Sequence, residues 1–152
     1  MKASPKLIEQ LEDGQIFVFG SNDQGRHGAG AAYTALKKFG ASYGRGKGLV
    51  GESYAIPTRK FIQDDSKNWQ LVTLPVSEIS THINDFISFA SVHKELDFLV
   101  TEVGCGHAGI SHETIAPLFE RAKDMPNIFL PEKFIHILER KPDKCLMDTQ
   151  KS

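Results

Sequence analysis

Glycine is very unevenly distributed along this sequence, and its distribution constrains the fold more than any other feature. Eight of the 13 glycines fall between Gly25 and Gly51, and three more between Gly104 and Gly109. Each cluster follows a short apolar run, residues 16–20 or 98–103, of the kind that forms a buried strand. Glycine lets backbone N–H groups approach an anion closely and adopts positive φ without strain. The sequence therefore predicts two strand–loop–helix units, each suited to holding part of a phosphate-bearing ligand.

Strands and helices are predicted to alternate along the chain. The strand candidates are residues 16–20, 53–57, 70–74, 98–103 and 127–130. Helices are predicted at residues 29–39, from an N-cap at Ser77, and from an N-cap at Ser111 to about residue 122. In the Ser77 helix, apolar residues recur at helical spacing and predict one buried face: Ile79, Ile83, Phe86, Ile87 and Ala90. This order predicts an α/β fold with a mostly parallel sheet covered by helices.

The remaining segments have weaker patterns. Residues 1–14 are predicted to be a polar lead-in, residues 40–51 a loop, and residues 59–68 a polar surface excursion. With 152 residues, the chain has the usual length of one domain. We therefore expect residues 1–152 to form a single domain, with a core of about residues 15–130 and a C-terminal extension at 131–152.

Composition restricts the class of partner. Hydrophobic residues make up 40% of the chain, enough for one core, and the formal net charge is -1. A protein that grips a long polyanion usually has a basic excess, so bulk nucleic-acid binding is not expected. A single nucleotide or a modified nucleic-acid end stays open as a ligand.

The cysteines and the apolar runs indicate the compartment. The two cysteines, Cys105 and Cys145, form no CxxC pair, so neither a zinc site nor a disulfide framework is predicted. No apolar run has the length of a signal peptide or of a membrane span. We expect a cytoplasmic protein that needs no cofactor and has no membrane partner.

Ligands of parallel α/β sheets bind outside the carboxyl ends of the strands, and this rule selects the segments after Gly20 and after Val103. Known phosphate motifs do not describe them. The pattern GxxxxGK[ST] is absent, and the GxGxxG match GKGLVG precedes no predicted helix. Glycines that merely form tight turns would be the plain alternative for a single cluster. Two clusters at equivalent places in the sheet favour a diphosphate site.

Several side chains beside these glycines are candidates for chemistry. Asn22 could orient a ribose hydroxyl or a water, or make an Asx turn. Asp23 could act as a general base, and His27 could pair with phosphate or transfer a proton. Glu102 lies at the end of a buried strand, where it either lines the pocket or pairs with a cation. Cys105 is expected to contribute its backbone rather than a nucleophile.

Three segments together resemble one family. They are IFVFGSNDQGRHGAGAA, GRGKGLVGESYAIPT and FLVTEVGCGHAGISHETIAPLF, and they span roughly residues 15–130. In order and spacing they resemble the signature blocks of a compact branch of the macro-domain superfamily. The resemblance implies a three-layer α/β/α fold with a mostly parallel mixed sheet and binding of ADP-ribose.

The resemblance also implies site residues. The ligand-binding residues would be Gly20, Ser21, Gly25, Arg26, Gly28, Ala29, Gly30, Gly104, Cys105, Gly106, His107, Ala108, Gly109 and Ile110. Asn22 would lie near the distal ribose, and Asn22, Asp23 and His27 are the catalytic candidates. The acidic adenine contact of the family has no match here. Catalytic branches carry an acid or a lysine near the first loop, where this chain has Arg26 and His27.

The function predicted from the sequence is binding of ADP-ribose or a derivative, with hydrolysis of an ADP-ribosyl bond or ADP-ribose ester. An ADP-ribosylated macromolecule would then be the partner. The alternative is a non-catalytic protein that senses or sequesters nucleotides related to ADP-ribose. Fold-level similarity alone does not separate the two, because function depends on the site.

Overall fold

The computed structural model describes residues 1–140, which form a seven-stranded sheet with helices packed on both faces. The strands are β1 (Lys2–Ala3), β2 (Gln15–Asn22), β3 (Gly48–Val50), β4 (Ser53–Gln63), β5 (Trp69–Thr73), β6 (Asp97–Val100) and β7 (Ile128–Leu130). The helices are α1 (Gly30–Lys38), α2 (Val76–Val92), α3 (His112–Ile115) and α4 (Glu132–Glu139), with a 3-10 helix (Ala116–Ala122) directly after α3. The predicted three-layer α/β/α class is confirmed.

The sheet is mostly parallel. Its strand order is β1-β7-β6-β2-β4-β3, and β5 also pairs with β4. All neighbours from β1 to β4 run parallel, whereas β3 and β5 are antiparallel to β4. The carboxyl ends of β6, β2 and β4 therefore meet at one edge of the sheet, as the order of predicted elements requires.

Alternate residues of β2 face two separate cores. Ile16 and Val18 belong to the core beneath α2, the 3-10 helix and α4. Phe17 and Phe19 belong to the smaller core beneath α1. The two-residue period of a strand sends neighbouring side chains to opposite faces, so a continuous apolar run fits a strand covered on both sides. The predicted apolar face of α2 is confirmed, because all five of its residues are buried.

The two predicted N-caps have different outcomes. At α3 the prediction is confirmed, because the Ser111 Oγ accepts a hydrogen bond from the Thr114 N–H at 3.2 Å. At α2 it is wrong: the helix begins at Val76, its N-cap is Pro75, and Ser77 lies inside the first turn. The fixed φ of proline suits the start of a helix, so no serine cap is needed there.

Three strands extend into segments predicted to lack regular structure. Residues 59–68 are not a surface excursion, since β4 continues to Gln63 and turns into β5. β3 lies in the predicted loop at 40–51, and β1 lies in the predicted lead-in, where it pairs with β7. Both strands are only two or three residues long, which is too short to give a periodic pattern.

The segment after residue 131 begins with α4, which packs on the core. Phe134 is fully buried, and its ring centroid lies 5.6 Å from that of Phe119 in the 3-10 helix. The rest of the predicted C-terminal extension, residues 141–152, lies outside the described residues.

Candidate functional site

A cavity of about 390 Å³ lies at the carboxyl edge of the sheet, between the ends of β2, β4 and β6 and the start of α1. It lies where the sequence predicts a ligand site. Eleven of the predicted site residues line it: Gly20, Ser21, Asn22, Arg26, Gly28, Ala29, Gly30, Gly104, Gly106, His107 and Ala108. The structure thus brings glycines of both clusters to one cavity, Gly28 and Gly30 from the first and Gly104 and Gly106 from the second, although the two pairs are more than 70 residues apart in sequence.

The first loop is held by the side chain of Asn22. Its Oδ1 accepts a hydrogen bond from the Arg26 N–H and its Nδ2 donates to the Arg26 carbonyl, both at 3.0 Å. Gly25 has a φ of 64°, and a Cβ there would lie 2.3 Å from the Arg45 nitrogen. Glycine is thus required at this point because residues 44–46 pack directly against the loop.

His27 lies beneath the loop and does not line the cavity. Its side chain is fully buried, and its Nε2 lies 3.0 Å from the Ser42 carbonyl oxygen and 3.2 Å from that of Arg45. Because both partners are acceptors, Nε2 is the protonated nitrogen. Nδ1 is buried and has no hydrogen-bond partner among residues 1–140. In this position His27 joins the loop to residues 42–45 and stays away from a bound ligand.

Asp23 also lies outside the cavity lining. Its carboxylate accepts a hydrogen bond from the Phe61 N–H at 3.0 Å, and its own N–H donates to the Arg59 carbonyl at 3.1 Å. These bonds join the end of β2 to β4 beyond their regular pairing, which is interrupted between Ser21 and Asn22. Asp23 therefore positions β4, as an Asx residue commonly does at the end of a strand.

The second loop lies against the end of β2. A Cβ on Gly20 would lie 3.4 Å from the Gly104 nitrogen, so the two backbones are close together. The Ile110 N–H donates to the Gly104 carbonyl at 2.9 Å, which turns the loop back on itself. Of the predicted residues here, Cys105, Gly109 and Ile110 do not line the cavity. Burial, followed by the nearby Glu102 carboxylate, raises the pKa of the half-buried Cys105 thiol to about 11.

The cavity wall is electropositive at the start of α1. The N-cap residue, Ala29, offers no side-chain oxygen to the free N–H groups, and the first turn contains no acidic residue. Arg26 and Arg59 line the same cavity, and within residues 1–140 neither guanidinium group has a carboxylate within 4.0 Å. Burial lowers the pKa of Arg59, although the residue keeps its charge at neutral pH. An anion would complement these groups.

Glu102 is the acidic residue of the cavity lining, as far as the described residues go. Its Oε1 is hydrogen-bonded to His112 Nε2 on the first turn of α3. Glu102 thus lines the cavity, which is one of the two roles that the sequence left open, and its hydrogen-bond partner is His112 rather than the Arg or Lys expected for the other role. The Glu102 side chain is 40% exposed, so a ligand or a water can reach it.

A second, wider cleft of about 740 Å³ adjoins the cavity. The two share Ala31, Thr101 and Glu102, and the cleft continues past the ends of β6, β7 and β1 towards α4. Apolar side chains such as Leu7, Ile8 and Ile137 line part of it. This cleft was not predicted from the sequence, because residues 1–14 and 131–152 were not expected to contribute to the site.

Eight cavity residues were missed by the sequence reasoning: Ala31, Ala32, Thr58, Arg59, Phe61, Leu71, Thr101 and Val103. Four of them belong to β4 or β5, two belong to α1 and two follow β6. The rule that ligands bind beyond the carboxyl ends of parallel strands would have found Thr58 and Arg59 if it had been applied to the strand at 53–57.

Within residues 1–140, no three His, Cys, Asp or Glu side chains come together as metal ligands would. The helices of this part of the chain are all too short or too polar to cross a bilayer.

Comparison with known proteins supports the fold. A solved structure of a protein of unknown function from Bacteroides thetaiotaomicron is similar over 80% of this chain and 89% of that chain, with a TM-score of 0.57 and 15% sequence identity. At that identity the similarity shows the fold alone. No protein-family model matches the sequence, and no curated protein matches it significantly.

Proposed function

We propose that this protein binds ADP-ribose or a derivative of it, with the diphosphate at the start of α1. One observation carries the proposal: both glycine loops and the uncapped N-terminus of α1 converge on a single cavity with Arg26 and Arg59, which have no carboxylate partner within residues 1–140. Free N–H groups at a helix N-terminus and guanidinium groups are the donors that phosphate oxygens prefer. The resemblance of the three sequence blocks to the macro-domain superfamily supports the same ligand.

The arrangement of the two spaces suits a ligand with two bulky halves. ADP-ribose has an adenosine and a second ribose joined by a diphosphate. The wider cleft, with its apolar lining, is the better match for adenosine, and the cavity for the second, distal ribose. Ala31, in the first turn of α1, lines both spaces and lies where the diphosphate would pass.

Hydrolysis is the second part of the proposal. A water oxygen would bond to the anomeric carbon of the distal ribose as the bond to the acceptor breaks, and a proton would reach the departing acceptor atom. Glu102 is the carboxylate that lines the cavity, and His112 orients it, so Glu102 is the candidate general base. Asn22 would hold Arg26 in place beside the ribose.

Binding without catalysis is the alternative, and one observation favours it. Asn22, Asp23 and His27, the residues that the sequence suggested for catalysis, each use their side chains to hold the protein backbone. A protein that senses or sequesters the nucleotide would need the same loops and no general base.

Calorimetric titration with ADP-ribose tests the binding, with ADP, AMP and NAD as comparison ligands. Gly28 and Gly106 both line the cavity, and a Cβ at either would meet no protein atom within 4 Å. Gly28→Val and Gly106→Val should therefore leave the melting temperature nearly unchanged and abolish selective binding of ADP-ribose. Binding that persists in both variants would place the ligand elsewhere, and no binding to the wild type would refute the proposal.

Incubation with ADP-ribosylated peptide and oligonucleotide tests the hydrolysis. Glu102→Gln keeps the size of the side chain and removes the base, so we expect at least a hundredfold loss of turnover with little change in affinity. Saturable binding by the wild type with no product after long incubation would establish the non-catalytic alternative.

A further inference from the structure

The hairpin of β4 and β5 extends the cavity wall outward. In their antiparallel register Arg59 pairs with Thr73, Phe61 with Leu71 and Gln63 with Trp69. Paired residues share one face of the sheet, as do alternate residues along each strand. Phe61 and Leu71 line the cavity. Trp69 therefore lies on the same face, farther from the cavity by two residues, or about 7 Å.

This surface, Phe61, Leu71 and Trp69, which we term the hairpin face, is fixed to both phosphate loops. The Asp23 carboxylate accepts from the Phe61 N–H at 3.0 Å, which joins β4 to the first loop. The Thr73 Oγ1 donates to the Ala108 carbonyl at 2.8 Å, which joins β5 to the second loop. The base of the hairpin cannot move without disturbing both loops.

The outer end of the hairpin is also well ordered by hydrogen bonds. The Asp64 Oδ1 accepts from the N–H groups of Ser66 and Asn68, both at 2.9 Å. The Gln63 Nε2 donates to the Lys67 carbonyl at 3.0 Å. Such a turn holds the strands in register and so presents Trp69 in a defined place.

Trp69 is largely exposed, whereas tryptophan side chains are highly buried on average. Its exposed fraction is 61%. At the inner end of the hairpin face, the Arg26 guanidinium lies over the Phe61 ring, 5.2 Å from the ring centroid. The hairpin face thus offers a flat indole at its outer end and a flat cation at its inner end. Both are groups on which a nucleobase stacks, and the cation also attracts phosphate.

We propose that the hairpin face binds the nucleobase of a nucleic-acid end that carries ADP-ribose. This inference rests on the proposed function. With adenosine in the cleft, the distal ribose points towards the hairpin, and whatever is joined to it leaves the cavity along Phe61 and Leu71. The first group outside would reach Trp69 and stack on its indole.

The charges favour a nucleotide over a peptide as the attached group. Arg26 and Arg59 both belong to this side of the cavity and are free of carboxylate partners within residues 1–140. The chain has a net charge of -1, so it lacks the basic excess needed to hold a long polyanion. Recognition is therefore confined to the modified nucleotide and its nearest phosphates.

Trp69 is the single tryptophan of the chain, so its fluorescence reports directly on the hairpin face. The wild type is titrated with free ADP-ribose and with a short single-stranded oligonucleotide that carries ADP-ribose on its terminal base. The unmodified oligonucleotide and an ADP-ribosylated peptide are the comparison ligands. We expect the modified oligonucleotide to quench Trp69 and to bind at least tenfold more tightly than free ADP-ribose. The unmodified oligonucleotide should bind weakly.

Two variants separate the hairpin face from the cavity. Trp69→Ala should lower affinity for the modified oligonucleotide about tenfold, as expected for one lost base stack, and leave the affinity for free ADP-ribose unchanged. Ile62→Ala is the matched control, because Ile62 is an exposed apolar residue on the opposite face of the same hairpin. It should change neither affinity.

The outcomes distinguish this inference from the proposed function. Tight binding of free ADP-ribose with no effect of Trp69→Ala on the modified oligonucleotide would overturn this inference alone. A Trp69-dependent gain for the peptide rather than the oligonucleotide would overturn it in favour of a protein acceptor. No binding of free ADP-ribose by the wild type would refute the proposed function and this inference with it.

Discussion

The amide side chain of Asn22 is joined to the backbone of Arg26 by two hydrogen bonds, each 3.0 Å long. These bonds close the first loop and hold the Arg26 backbone, from which the guanidinium side chain extends towards the cavity wall. Because Asn22 is buried at the end of β2, the central strand of the site, the loop has a rigid base. The Asn22 side chain thus helps to set the position of Arg26.

Asn22→Ala should weaken both the loop and the ligand site. It removes two partly buried hydrogen bonds, and we expect a loss of about 1–3 kcal/mol in the free energy of unfolding. Affinity for ADP-ribose should fall about tenfold because Arg26 is no longer held in place. Chemical denaturation and calorimetry measure the two effects. Asn84→Ala, which removes one exposed hydrogen bond to Arg121, is the control. An Asn22→Ala variant that binds ADP-ribose as tightly as the wild type would contradict the role of Asn22 in holding Arg26.

Gly25→Ala should destabilise the protein by more than about 2 kcal/mol. A left-handed backbone costs an L-residue roughly 1–2 kcal/mol, and the new Cβ would lie 2.3 Å from the Arg45 nitrogen. Urea denaturation measures the change. Gly28→Ala is the matched control in the same loop. A Cβ there meets no atom within 4 Å, so its effect should stay within about 0.5 kcal/mol. Equal stability of the two variants would refute this packing.

Cys105 should react slowly with alkylating reagents. Burial, with a further contribution from Glu102, raises the pKa of its thiol to about 11, so at pH 8 only about one molecule in a thousand carries the thiolate. In a Cys145→Ser background, labelling by iodoacetamide should accelerate as the pH rises towards 11. At pH 8, unfolding the protein in guanidinium chloride should accelerate the labelling of Cys105. Rapid labelling of the native protein at pH 7 would contradict this prediction.

His82 should make the protein less stable as the pH falls below neutrality. Burial and the nearby Lys47 ammonium lower the pKa of His82 below its ordinary value of 6.5, and its Nδ1 is buried with no hydrogen-bond partner in the described part of the chain, residues 1–140. Between that lowered pKa and 6.5 the unfolded chain binds the proton and the folded protein does not. Stability from this group is therefore complete above pH 6.5 and is lost as the pH falls through the lowered pKa.

His82→Gln tests this prediction, because glutamine does not titrate. Stability is measured by urea denaturation from pH 8 to pH 5, and the values at pH 8 set the baseline for each protein. We expect the variant to lose less stability than the wild type below pH 6.5. Identical slopes in the two proteins would show that His82 does not carry the effect.

Local patterns explain why the sequence predicted much of the fold. The five-residue apolar run in β2 and the helical spacing of Ile79 to Ala90 are signals that depend on neighbours only. Such signals persist because each element must bury its own apolar face. The N-cap at Ser111 was found for the same reason. Ser77 was predicted as the N-cap of α2 because serine favours that position, but the helix begins one residue earlier, at Val76, with Pro75 as its N-cap.

Two glycine clusters and the parallel order of the strands were enough to predict the edge of the sheet at which the cavity lies. They did so because glycine loops and strand ends are local features with a fixed geometric consequence. The directions of the side chains were a different matter. Asp23 and His27, adjacent in sequence to cavity residues, turn towards Phe61 and Ser42 because those partners come from distant segments. Only the tertiary structure decided that Arg59, Glu102 and the β4–β5 hairpin complete the cavity, since long-range pairing, not local sequence, brings them together.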